Sequence, residues 1–193
     1  MSLPSSSRFV AAVALVSALT WLPACGQPPE KEMHEAQGAL DAARAAGAQR
    51  YAPEEYGAAA DALKKSQDAV TARDYRQALN FALDSRERAQ NAVKDAMNRK
   101  AAVRSDAERT MADATTALRA AHASLDRAHA LHVPARDLAG PTETIAAAEA
   151  SLQKARTALE QHDELTALDE ISGIVGRLQS ATNEIDGLTR RRH

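Results

Sequence analysis

Beyond residue 30 the apolar positions return every three or four residues, and nowhere do they alternate as a strand would require. The first such stretch predicts a helix from about Lys31 to Ala46, closed by Gly47 in the left-handed conformation that ends many helices. Pro53 suits the first turn of a second helix, with Glu54 and Glu55 complementing its N-terminal dipole. That helix carries Tyr56, Ala59, Leu63 and Val70 inward as far as about Thr71. Asp74 is then an N-cap with Gln77 in the reciprocal position three residues on, and Tyr75, Ala78, Leu79, Ala82 and Leu83 follow at helical spacing.

Neither glycine nor proline occurs from Ala58 to Val133. A helix begun at Asp74 could therefore run to about His132, roughly 88 Å. Ser105-Asp106-Ala107-Glu108 is the one internal capping box and marks where a break would fall. Val103, Ala107, Met111, Ala114, Leu118, Ala121, Leu125 and Ala128 recur at steps of four and three, a coiled-coil-like seam rich in alanine. Val133-Pro134 and Gly140-Pro141 bound an expected loop. A helix is predicted from about Thr142 to Gln161, and another, capped by Asp163, through Leu165, Leu168, Ile171, Val175, Leu178 and Ile185. These last two helices echo the earlier pair. Setting Asp74 on Asp163 also superposes Ala59 on Ala148, Leu63 on Leu152, Ala78 on Ala167 and Leu79 on Leu168. The expected fold is all-α: an elongated antiparallel bundle, or helical hairpins, sharing one long central helix.

The first twenty-five residues read differently. Arg8 precedes an apolar run from Phe9 to Leu22, long enough for a signal-peptide core and short of the ~20 residues of a spanning helix. The run ends in Leu22-Pro23-Ala24-Cys25, which resembles the lipobox of bacterial lipoproteins. That resemblance implies cleavage before Cys25 and acylation of its thiol and new amine, with a covalent lipid in place of any cofactor. Cys25 is the only cysteine, so an internal disulfide is excluded. Gly26 after the cysteine, where inner-membrane retention uses Asp, implies the outer membrane by the same resemblance. The expected organisation is a signal peptide over 1–24, a lipidated tether over 25–30, a helical unit over 31–103, a second over 104–189 and a basic tail over 190–193.

Composition changes this picture little. Apolar residues make up 45% and charged residues 26%, an ordinary balance for a folded chain, and alanine, at nearly a quarter, implies a thin core. The net charge of −2 offers no general reason to expect nucleic acid.

Ala43 to Tyr56, with its Gly47-Ala48-Gln49-Arg50-Tyr51-Ala52-Pro53-Glu54 core, and the later Arg73-Asp74-Tyr75-Arg76-Gln77-Ala78 together resemble a domain of unknown function, DUF4398. That domain is found in Gram-negative envelope lipoproteins, sometimes ahead of an OmpA-like peptidoglycan-binding domain. The resemblance covers roughly residues 31–100 and implies location and architecture, but no activity. With the sequence ending at His193, neither an OmpA-like domain nor the C-terminal lysine by which the major murein lipoprotein joins peptidoglycan is expected to provide attachment to the cell wall.

Few residues offer chemistry. His122, Asp126, His129 and His132 fall on one helix face and could ligate zinc or copper, although edge histidines commonly just pack against a neighbouring helix. Tyr51, Tyr56 and Tyr75, with Pro53 and Asp74 fixing two helix starts, are expected to pack together as a structural joint; with Phe81 they could instead form a ligand-facing patch. Arg190, Arg191 and Arg192 could touch lipid heads or peptidoglycan, or simply favour a helix C-terminus. No nucleophile elbow, phosphate-cradling loop or carboxylate pair is present, so no enzyme is expected. The expected function is that of a non-catalytic lipoprotein on the periplasmic face of the outer membrane. It would serve as a structural element or adaptor, meeting envelope proteins through its helix faces. The alternative is a periplasmic metal- or small-ligand-binding stress protein using the His122–His132 face.

Overall fold

The structure, a computed structural model, describes residues 26–191. Among them there is no strand, and seven helices follow in order: α1 (Glu30–Ala45), α2 (Ala48–Tyr51), α3 (Pro53–Thr71), α4 (Tyr75–Ala130), α5 (Ala135–Glu160), α6 (Glu164–Ile171) and α7 (Ile174–Arg190). The other six pack around α4. That helix is continuous over 56 residues, about 84 Å. The capping box at Ser105 does not interrupt it: Ser105 and Asp106 are exposed, and Asp106 accepts from Arg109 at 2.9 Å instead of capping a new helix.

The first half of α4 completes a three-helix unit with α1 and α3. Ser66 Oγ donates to the Ala78 carbonyl and Ser85 Oγ to that of Ala59, each at 2.8 Å, which sets α3 antiparallel to α4. Such close contact between backbones needs the small residues that line this half, since Ala78, Ala82, Ala89, Ala92 and Ala96 are all fully buried. α1 runs parallel to α4: Gly26 lies beside Tyr75, and further along Glu35 pairs with Arg86. The second half of α4 repeats the plan with α5 antiparallel and α6–α7 parallel, tied by His122–Glu149 at 2.8 Å and Arg127–Asp186 at 3.3 Å. One helix is thus the third of the first unit and the first of the second.

The echo read from the sequence has a geometric counterpart. The α3–α4 and α5–α6 corners share their backbone bonds, with Asp74 N bonding Ala69 O and Asp163 N bonding Ala158 O, both at 2.9 Å. Arg73 and His162, one residue earlier in each, both take φ 59°. At the same offset of 89 residues (163 − 74), buried Ala78, Ala82, Ser85, Ala89, Ala92 and Ala96 fall on buried Ala167, Ile171, Ile174, Leu178, Ala181 and Ile185.

Two expected boundaries are corrected. The loop expected up to Pro141 is helical from Ala135 onward, and Pro141 lies inside α5. Proline there removes one ladder bond, but its ring is fully buried with Leu138 and Ile145 on the same face, so burial outweighs the lost bond. Thr142 Oγ1 donates to the Leu138 carbonyl at 2.8 Å and Thr144 Oγ1 to that of Gly140 at 3.0 Å, i−4 bonds of the kind other threonines make along these helices. The last helix, expected unbroken from Asp163, is divided by Gly173 at φ 71°. The buried face keeps its register across the break, with Ile171 and Ile174 both fully buried.

Candidate functional site

The segment with the most distinctive sequence sits where the two units meet. Gly47 takes φ 82°, a conformation that favours glycine, and a Cβ there would stand 3.3 Å from the Tyr51 ring, a tight fit that the ring would have to ease. The single turn of α2 then sets Tyr51 into the core, 5% exposed, in a cluster to which Val103 and Leu165 also pack. Pro53, at the first position of α3, turns the chain back along α4.

Tyr51 donates its hydroxyl to Glu164 Oε2 at 2.9 Å. The Glu164 side chain is only 2% exposed, and Lys100 Nζ lies 3.6 Å from the same oxygen and 6.0 Å from the centre of the Tyr51 ring. One residue earlier, Asp163 caps α6, accepting from Thr166 N at 3.3 Å and from Thr166 Oγ1 at 2.9 Å. The same carboxylate receives Arg50 Nη2 at 2.9 Å. These neighbours shift the ionisations. The hydrogen bond from Arg50, then those from Thr166, hold the Asp163 carboxyl below its ordinary value, and Arg50 is raised in return. Burial first, and then the bond to Glu164, push the Tyr51 phenol up. Beside this contact opens a cleft of about 660 Å³ whose rim includes Arg50, Glu54, Asp95, Asn98 and Arg99.

The expected joint is therefore only partly assembled. Tyr75 lies at the opposite end of the first unit, beside Gly26, because the 19-residue α3 separates it from Tyr51. The idea of one cluster of Tyr51, Tyr56 and Tyr75 is corrected accordingly. Tyr56 is half-buried and its hydroxyl accepts from Arg44 Nε at 3.2 Å. Asp74 does cap α4, accepting from Gln77 N at 3.0 Å. Phe81 lies under Lys65, whose Nζ is 6.0 Å from the ring centre.

His122, Asp126, His129 and His132 are not brought together as a ligand set. Among the described residues no group of three or more His, Cys, Asp or Glu is placed to hold a metal ion. His122 turns to Glu149, while His132 sits in the α4–α5 corner at φ 57°. Cys25 and Arg192 lie outside the described residues; Arg190 and Arg191 are exposed.

Sequence reasoning missed Arg50, Lys100 and Glu164, and took Asp163 for a cap alone. One signal was available: the offset that places Asp74 on Asp163 sets Tyr75 on Glu164, so the glutamate occupies a position that faces inward in the earlier corner.

Comparison with known proteins bears on one half of this contact. Residues 31–107 match the DUF4398 family, a domain of unknown function. The DUF4398 segment comprises α1 to α3 and α4 as far as Ala107, and contributes Arg50, Tyr51 and Lys100. Asp163 and Glu164 come from beyond it. No curated protein and no solved structure matches the chain.

Proposed function

We propose that the protein is a non-catalytic, lipid-anchored envelope protein, held through Cys25 at the periplasmic face of the outer membrane and serving as a structural element or adaptor. What supports this reading is the lipobox-like Leu22-Pro23-Ala24-Cys25 segment together with the position of the residue that follows it. Gly26, the residue after Cys25, lies beside Tyr75 at the N-terminal end of α4, so an anchor at Cys25 attaches the rod by its tip. From there α4 extends about 84 Å to its other end, at the turn into α5. No helix among the described residues is long and apolar enough to cross a membrane. Partner proteins would meet the exposed faces, of which the alanine-lined outer side of α5, with Ala139, Ala146, Ala147 and Ala150, admits close helix packing.

Mass spectrometry of the protein extracted from envelope membranes tests the anchor. The expected product begins at Cys25 and carries a diacylglyceryl group, and Cys25→Ser leaves the chain uncleaved or free of the membrane. An unmodified chain retaining residues 1–24 would contradict the reading. A photo-crosslinking residue at Ala147 tests the adaptor role in cells, where a reproducible protein adduct is expected and its absence counts against that role.

A further inference from the structure

We infer that the Arg50-Tyr51 turn is a socket, and that the Asp163-Glu164 corner docked in it locks the second three-helix unit to the first across a hinge in α4. The first observation is the state of α4 at the junction. Ala96 and Ala107 are fully buried, but none of the ten residues between them is, so the helix passes from one core to the next without being enclosed. The seam changes phase at the same place. Ala82, Ala89, Ala96 and Val103 follow a seven-residue repeat, Ala107, Ala114, Ala121 and Ala128 follow another, and a step of four residues joins them. Such an insertion locally unwinds a coiled coil, and a stretch with few buried contacts is where a helical rod bends or opens first.

The second observation is what bridges that stretch. Polar contacts that join α1–α3 directly to the second unit include Arg50–Asp163 and Tyr51–Glu164, each at 2.9 Å. Lys100, within the uncovered stretch of α4, completes the contact at 3.6 Å from Glu164. Leu165, the next residue, packs against the first unit's core. The lock is therefore asymmetric: it spans α4 on one side, and among the described residues no ion pair or side-chain hydrogen bond spans the other. Its chemistry makes it two-state. Docked, the Glu164 carboxylate is out of water and depends on Tyr51 and Lys100. Without the phenol it regains hydration only by leaving the socket, and the second unit then swings on α4.

The test measures the angle between two folded units. Asp61 on α3 and Gln153 on α5 are both exposed and stand about 50 Å apart along α4. Spin labels on cysteines at these positions, in the full chain carrying Cys25→Ser, are its only thiols. Pulsed electron resonance should give one narrow distance distribution for the otherwise unaltered chain and for the control Arg99→Ala on the cleft rim. With Arg50→Ala and Tyr51→Phe combined, the width should at least double while circular dichroism stays unchanged. Amide exchange across residues 97–106 should rise at least tenfold, with residues 121–128 unaffected. An unchanged distribution in the folded double variant overturns the inference. So does loss of helix from α5–α7, because the corner would then belong to the second unit's own folding rather than to a lock between two folded units.

Discussion

Tyr51→Phe removes one oxygen from the molecule and leaves its shape intact. Tyr51 is 5% exposed and the Glu164 side chain 2%, so solvent reaches the pair only from the adjoining cleft. A hydrogen bond to a charged group contributes about 1.5–3 kcal/mol. Lys100 stays beside Glu164, so the lower half of that range applies, about 2 kcal/mol. In a chain of this length each kcal/mol lowers the melting temperature by about 2–4 °C, which gives a fall of about 4–8 °C. Melts followed at the helical circular-dichroism band measure it directly. Tyr56→Phe supplies the comparison, because the Arg44–Tyr56 bond is exposed and 3.2 Å long, and its loss should move the midpoint by about 1 °C or less. The sign of the phenol's shift adds a second check. Its folded-state value lies above the ordinary 10.0, so the stability it supplies is complete below pH 10 and is lost as pH rises through the higher folded value. Tyr51→Phe should abolish that alkaline loss. A melting temperature within about 1 °C of the unaltered protein's would refute the account of Tyr51 as the bonded half of a buried pair.

Three further outcomes follow from other parts of the fold. Asp163→Asn should lower the urea midpoint at about pH 5, and the difference should shrink as pH falls below 3.8; the carboxyl is held below that ordinary value, so its contribution is present above it and disappears as pH falls through the lower folded one. Ala121→Leu, at a fully buried seam position, should cost about 1–3 kcal/mol by overpacking, whereas Ala123→Leu on the exposed face should be nearly neutral in the same denaturant titration. Gly173→Ala should destabilise by about 1–2 kcal/mol although a methyl group there meets nothing within 4 Å, because the whole cost is the φ of 71°.

What the sequence made legible is local chemistry. Gly47, Pro53 and Asp74 each act within one turn of chain, and each stands where the pattern placed it, ending α1, opening α3 and capping α4. The absence of glycine and proline from Ala58 to Val133 likewise allowed α4 its full length. Failures arose where tertiary burial decides. Pro141 is a breaker by local rules, yet it stays in α5 because Leu138, Pro141 and Ile145 form one buried face. The break at Gly173 hid because Ile171 and Ile174, three apart, fit a continuous helix as well as a broken one. The inter-unit contact was the least accessible. A glutamate in a first helical turn looks like a complement to the dipole, and its partner Tyr51 lies 113 residues away.

The central claim is that two three-helix units lie end to end on one continuous helix, and small-angle X-ray scattering of residues 26–193 tests it most directly. A rod at least as long as α4, about 84 Å, has a radius of gyration of about 25 Å, and the pair-distance function should tail out to 85 Å or beyond, as α4's length requires. A compact domain of the same length would give about 15 Å. A value near 25 Å with that long tail is the result the account predicts; one near 15 Å would mean that α4 folds back between Ala96 and Ala107, and would contradict it.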